Sequence, residues 1–294
     1  MVVNAWPEIF DAERPAFGSA ELPDGLFFAC DNWRLAGRWD EAVVLLNAAR
    51  PLARDYGAEE EGRLLGTLVC TLNDCFHFRA DPGDPLERAL EDLTEVAEQA
   101  HSDLLCAAAW DQRGLALHYA YLNDRNAGEL PEELQCFERG LRLRQAIGHT
   151  AYEAESLFHI GLVHQVVRGD SSAARPYFER ANNMARQSDS SELASYTARH
   201  LGFIYVQNGD TSAAEAALIE SLRLRRIESF VPGIASAMLT LAGFLAQIYQ
   251  RNAEAIALAG EARTMLSGIG ATAYLAIADR QLEELRSSHS GGSR

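Results

Sequence analysis

Three stretches decide the fold: FERGLRLRQ from Phe137 to Gln145, FERANNMAR from Phe178 to Arg186, and LIESLRLRR from Leu218 to Arg226. They align with one another at a shift of about forty residues, the signature of an internal repeat. The same spacing of a small residue, then a bulky or small one, then a small one runs through Ala174, Phe178 and Ala181, through Ala214, Leu218 and Ser221, and through Ala255, Ala259 and Ala262. On a helix, positions three and four apart share a face, and small side chains there let a neighbouring helix approach closely. The anchors Gly140, Ala181, Ser221 and Ala262 lie 41, 40 and 41 residues apart. Upstream of each block a second helical pattern ends at Gly128-Glu129, Gly169-Asp170 or Gly209-Asp210. There glycine can take the positive φ that stops a helix, and the acid can help start the next. Each unit therefore contains two helices, and the chain reads as an all-α solenoid of helical hairpins.

Further motifs fit this unit. Ile160-Gly161 pairs with Ala174, Phe178 and Ala181; Leu201-Gly202 pairs with Tyr205, Gly209 and Ala214; Gly37-Arg38-Trp39-Asp40-Glu41-Ala42 is followed by Leu46 and Ala49. With these residues the chain resembles the tetratricopeptide repeat family, in which Leu-Gly in the first helix pairs with Ala-x3-Phe-x2-Ala in the second. The resemblance implies a right-handed superhelical solenoid of about six hairpins with a C-terminal capping helix, ATAYLAIADRQLEELR from Ala271. It predicts an N-terminal extension over 1–23, a repeat domain over 24–286 and a disordered tail over 287–294. In the second unit two registers fit equally, Ala89-Leu93-Val96 and Leu93-Ala97-Ala100, and RADPGDP from Arg79 marks the turn between its helices. The period exceeds the family's usual spacing of about 34 residues. It is similar to the long-helix repeats in sensor regions of bacterial transcription regulators and signalling ATPases, although no GxxxxGK[ST] loop and no basic recognition helix is present.

Composition narrows the partners. The 48% hydrophobic content is dominated by Ala and Leu, which favours helix. The formal charge of −16 opposes binding to a phosphate backbone, and the 26 basic residues, all Arg, are not gathered into a stripe, so no nucleic-acid partner is expected. Cys30, Cys70, Cys75, Cys106 and Cys136 include no CxxC pair and read as reduced core thiols. MVVNAWPEIFDAERP at the start lacks the basic and apolar regions of a signal peptide. The greasiest stretch, Gly233 to Tyr249, is interrupted by Ser236, Thr240 and Gln247. A cytoplasmic protein with no membrane partner is expected.

The family resemblance implies that the first helices line a concave surface, so ligand-facing residues should recur once per repeat. His118, His159 and His200 do so, 41 and 41 residues apart. Around them lie Tyr121 and Phe203 one turn on, Glu155 and Tyr196 one turn back, and Phe158 and Arg199 immediately before; Asp111 and Arg63 extend the candidate set. His77 falls 41 residues before His118 but near the end of its helix. Three readings of the histidine column are open: a polar contact to a ligand, a structural role between helices, or a metal held by two histidines and Glu155. No cofactor is expected and no metal is assigned. Arg142, Arg144, Arg223, Arg225 and Arg226 are expected to pair with acids of adjoining repeats on the convex side. The chaperone-tail-binding members of the family clamp a carboxylate with inward Lys and Asn; this chain has no Lys, and that role does not carry over. GxSxG, HExxH and CxxC are absent. The leading expectation is an interaction protein holding a peptide or protein partner in its groove, regulatory or scaffolding; the alternative is a small-molecule sensor or enzyme with a pocket lined by His118, His159 and His200.

Overall fold

The computed structural model describes residues 22–80, 83–125 and 128–291, and among these every regular element is helical. In chain order they are α1 (Asp24–Leu35), α2 (Trp39–Tyr56), α3 (Ala58–Arg79), α4 (Gly83–Gln99), α5 (Asp103–Asn123), α6 (Pro131–Ala146), α7 (Thr150–Leu162), α8 (Ser171–Gln187), α9 (Ser191–Gln207), α10 (Thr211–Ile227), α11 (Val231–Tyr249), α12 (Asn252–Gly268) and α13 (Thr272–Gly291). A π turn over Val163–Val167 prolongs α7. The six hairpins and single last helix expected from the repeat are all present. By contacts the chain divides into two compact units: one holds residues up to Arg34 and from Arg38 to Ser190, the other Leu35–Gly37 and Ser191 onward.

The hairpins form for the reasons legible in the repeat. Gly169 and Gly209 take φ of 68° and 76°, a conformation an L side chain resists, and they end α7's π turn and α9. The acids that follow cap the next helices: Asp170 accepts from the Ala173 amide at 2.9 Å and Asp210 from that of Ala213 at 3.0 Å. Inside the hairpins from α3 onward the two helices approach closely. A Cβ on Gly161 would lie 2.6 Å from the Phe178 ring, and one on Gly202 would lie 2.9 Å from Leu218. The Leu-Gly motif thus exists to seat the bulky residue of the second helix.

On every second helix one column of side chains is buried: Ala42, Leu46 and Ala53 on α2, Ala174, Phe178, Ala181 and Ala185 on α8, and Ala255, Ala259, Ala262 and Leu266 on α12. In α4 the corresponding column, counted from the helix start, is Leu86, Leu90, Leu93 and Ala97, all buried. Ala89, Leu93 and Val96, one of the two registers expected, are buried as well. The positions that repeat elsewhere as Ala are filled here by Leu, so the small-residue signal is missing. The separations of Ala42, Leu86 and Glu133, 44 and 47, depart from the period.

In the second unit α11 is apolar and long enough to cross a membrane, but 61% of that window is buried inside the protein. It packs against α12 and α13. Helix α13 buries Ala278, Leu282 and Leu285 and keeps charged residues outside, as a capping helix should. It also continues past Arg286 to Gly291 through part of the stretch expected to be a disordered tail. Ser287 and Ser288 donate to the carbonyls of Glu283 and Glu284 and so extend the helical pattern of bonding. Of the remaining expected segments, 1–21 and 292–294 lie outside the described residues.

Candidate functional site

The first unit contains a buried polar knot between α5, α6 and α7. Arg144 of α6 is 2% exposed and Asp111 of α5 1%. The Arg144 Nη1 donates to the Asp111 carboxylate, to the Tyr152 carbonyl at 2.8 Å and to Ser156 Oγ at 2.8 Å. Ser156 in turn donates to Asp111 Oδ2 at 3.0 Å. Glu155 Oε2 stands 3.5 Å from Arg144 Nη2, and the guanidinium lies over the Tyr152 ring at 5.5 Å. Position 140 must be glycine here, because a Cβ would run into Asp111 Oδ1. A buried ion pair with this many added hydrogen bonds can offset its desolvation.

The histidines of this unit serve the same framework. His118 of α5, 3% exposed, bonds Glu133 Oε1 through Nδ1 at 2.8 Å, and Glu133 on α6 is itself fully buried. His159 of α7, 9% exposed, packs against the Phe137 ring at 4.9 Å. Its Nδ1 is 3.7 Å from Asp111 Oδ2, too long for a hydrogen bond. Burial, foremost, holds its pKa below the ordinary imidazole value; Asp111 opposes this, while Arg144 and His118 add to it.

The second unit has the same guanidinium without the same partners. Arg225 of α10, 1% exposed, donates Nη1 to the Gly233 carbonyl at 2.7 Å and lies over the Tyr196 ring at 4.8 Å. The bond reaches eight residues on, as Arg144 does to Tyr152. The place of Asp111, the ninth residue of α5, is held on α9 by its ninth residue, Arg199, so a second cation stands where the first unit has a carboxylate. Twelve residues after Arg144 stands Ser156, and twelve after Arg225 stands Ala237. The Nε and Nη2 groups of Arg225 consequently have no partner. Burial, reinforced by the charge of Arg199, pushes its pKa down to about 10, with Tyr196, Tyr274 and Glu192 acting in the other direction. It remains a cation at neutral pH.

Arg199, half-buried on α9, donates Nη1 to Ser236 Oγ at 3.1 Å, and its Nη2 stands 3.2 Å from His200 Nε2, the acceptor in that contact. His200, 4% exposed, meets the Phe203 ring edge-on at 5.6 Å. Tyr196 and Phe203 are half-buried. Among the described residues the side chains that gather here are therefore Tyr196, Arg199, His200, Phe203, Arg225 and Ser236.

Burial changes how the expected set is understood. All three histidines are buried between helices and not spread along an open wall, and His118, sixteenth in α5, does not share the helix position of His159 and His200, tenth in α7 and α9. Asp111 is the carboxylate of the knot rather than an extension of a groove. Phe158 is a core ring 5.6 Å from Phe178. Tyr121 is half-buried, its hydroxyl 3.5 Å from the Val167 carbonyl. Arg63 is buried on α3 over the Phe27 ring at 3.9 Å, with Asp24 Oδ1 at 3.2 Å. His77, set aside in the sequence, stacks on Tyr119 at 4.3 Å. Arg144 and Arg225 correct the expectation of convex surface pairs, since both occupy the buried column of their helix, four positions beyond Gly140 and Ser221. That spacing was the signal that could have found them: Ala185 and Leu266 fill the same place in α8 and α12. Ser156, Ser236 and Glu133 carried no comparable mark. Among the described residues no group of three His, Cys, Asp or Glu side chains is disposed to hold a metal.

No family model and no curated protein sequence matches the chain. Solved structures do. A Rap protein complexed with competence and sporulation factor superposes with a TM-score of 0.61 at 14% identity, over 92% of this chain and 73% of that one. The apo form of RapI gives 0.53 at 17%, over 88% and 83%. A signal-transduction ATPase with a tetratricopeptide repeat sensor, from Pyrococcus horikoshii, gives 0.50 at 16%, over 86% of this chain and 39% of that one. At these identities the likeness shows the fold, a helical-repeat architecture shared with Rap proteins and a repeat sensor.

Proposed function

We propose that this chain is an interaction protein of the tetratricopeptide-like class that holds a peptide or protein segment on the first-helix faces of its hairpins and acts as a regulator or scaffold. The observation that carries this reading is how its polar side chains are used. Asp111, His118, Glu133 and His159 are engaged in joining helices, whereas the half-open residues of the second unit, Tyr196, Arg199 and Phe203, are aromatic or cationic and suit contact with a chain segment. The Rap protein bound to competence and sporulation factor offers a precedent on a similar fold.

The test is selection of binders from a library of random unstructured peptides, followed by titration of the enriched sequences. Micromolar or tighter binding is expected, and Tyr196→Ala and Arg199→Ala should each weaken it by about tenfold, an interface hot-spot effect, with little change in melting temperature. Failure to enrich any peptide, alongside stabilisation by a panel of small metabolites, would replace this reading with the small-molecule sensor.

A further inference from the structure

The repeat builds the same guanidinium twice and neutralises it once. Arg144 and Arg225 hold equivalent places on α6 and α10 and both reach the carbonyl eight residues on. In the first unit Asp111 and Ser156 supply acceptors to the guanidinium; in the second, Arg199 and Ala237 hold those places instead. What is left is a fully buried cation whose Nε–H and Nη2–H have no acceptor. These two groups lie on one edge of the guanidinium and point the same way. That edge matches the two oxygens of a carboxylate, bound side-on in two parallel hydrogen bonds. An unpaired buried charge is costly to keep, and its persistence calls for a partner from outside.

The surroundings fit. Arg225 is tied to α11 at Gly233, and Arg199 is tied to the same helix one turn on, at Ser236. Arg199 Nε is likewise without an acceptor. Tyr196, three residues before Arg199 on α9, lies beneath the Arg225 guanidinium, and both Tyr196 and Arg199 are half-open, so the rim of the site reaches the surface.

We propose that Arg225, with Arg199 beside it, is a built anion site that receives a carboxylate from the bound ligand. The inference rests on the peptide-binding reading for the source of that carboxylate, a chain terminus, and a free small acid is the other source with the same chemistry.

The experiment titrates the full chain with N-acetylated tripeptides ending in leucine, phenylalanine or arginine, each as free acid and as C-terminal amide, and with sodium acetate, read by calorimetry and thermal unfolding. Acids are expected to bind at least about tenfold more tightly than their amides, as for hydrogen bonds to a charged group. Arg225→Leu should abolish that preference and leave the free protein as heat-stable as before or more so. Arg225→Lys, which keeps the charge and loses the fork, should lose most of the preference. Acetate that stabilises the protein only when Arg225 is present, with no tripeptide bound, would uphold the site and overturn its peptide source. Peptides bound equally well as acids and amides would overturn the site while leaving peptide binding intact. Loss of heat stability in Arg225→Leu, with no carboxylate bound by the unmutated protein, would make Arg225 a structural tie between α10 and α11 and overturn the proposal.

Discussion

The first unit and the second use one repeat position in opposite ways. Arg144 is surrounded by acceptors from two neighbouring helices, α5 and α7, and its charge is answered within the protein by Asp111. Arg225 keeps only the backbone bond and the ring beneath it. The comparison teaches that helical spacing fixes where a side chain goes, whereas the neighbours on adjacent helices decide whether it is framework or available chemistry. Replacing Asp111 and Ser156 of the pattern by Arg199 and Ala237 changes a structural cation into one that needs a ligand.

The largest effect expected is from removing the first unit's counter-ion. Asp111→Leu leaves Arg144 buried without its counter-ion and should cost about 3 to 5 kcal/mol, measured by urea unfolding; a loss under about 1 kcal/mol, the ordinary worth of a surface pair, would show that Arg144 does not depend on Asp111. Next is Gly140→Ala. Its methyl group would displace the Asp111 carboxylate and should cost about 1 to 3 kcal/mol, the usual penalty for overpacking, whereas Gly260→Ala on α12, with open space around it, should be neutral or stabilising.

The smallest effect concerns His159. Its pKa is lowered in the folded state, so the unfolded chain takes up the proton first as pH falls. This stabilising contribution is complete above the unfolded value of about 6.5 and shrinks as pH drops towards the folded value, by no more than about 1.4 kcal/mol per pH unit for one proton. His159→Phe should remove that slope between pH 7 and pH 5. An unchanged slope in the variant would assign the pH dependence to another group.

The sequence revealed the hairpins because Ala174-Phe178-Ala181 and its equivalents combine small and bulky residues in a way that few other structures require. It did not reveal the α4 register, because Leu86, Leu90 and Leu93 are all bulky and offer no contrast. The histidine spacing was legible as a recurrence, but α5 and the loop after it are longer than their equivalents, so only His159 and His200 share a helix position, and burial could not be read from the spacing. Arg144 and Arg225 were hidden for a related reason: an arginine near a helix C-terminus normally reads as solvated, and only the carboxylate 33 residues upstream of Arg144, brought close by the hairpin, gives its burial sense. No local window contains that pair.

The most direct measurement is a double-mutant cycle on the second unit, with Arg199→Asp made both in the unmutated protein and in Arg225→Leu, and unfolding free energies compared without ligand. The account predicts that Arg199→Asp, at the place of Asp111, supplies the missing carboxylate and is stabilising or neutral when Arg225 is present. When Arg225 is absent it should cost at least about 2 kcal/mol, since it then buries an unpaired acid. Equal destabilisation in the two backgrounds would mean that Arg225 does not lack a counter-ion, and would contradict the central claim.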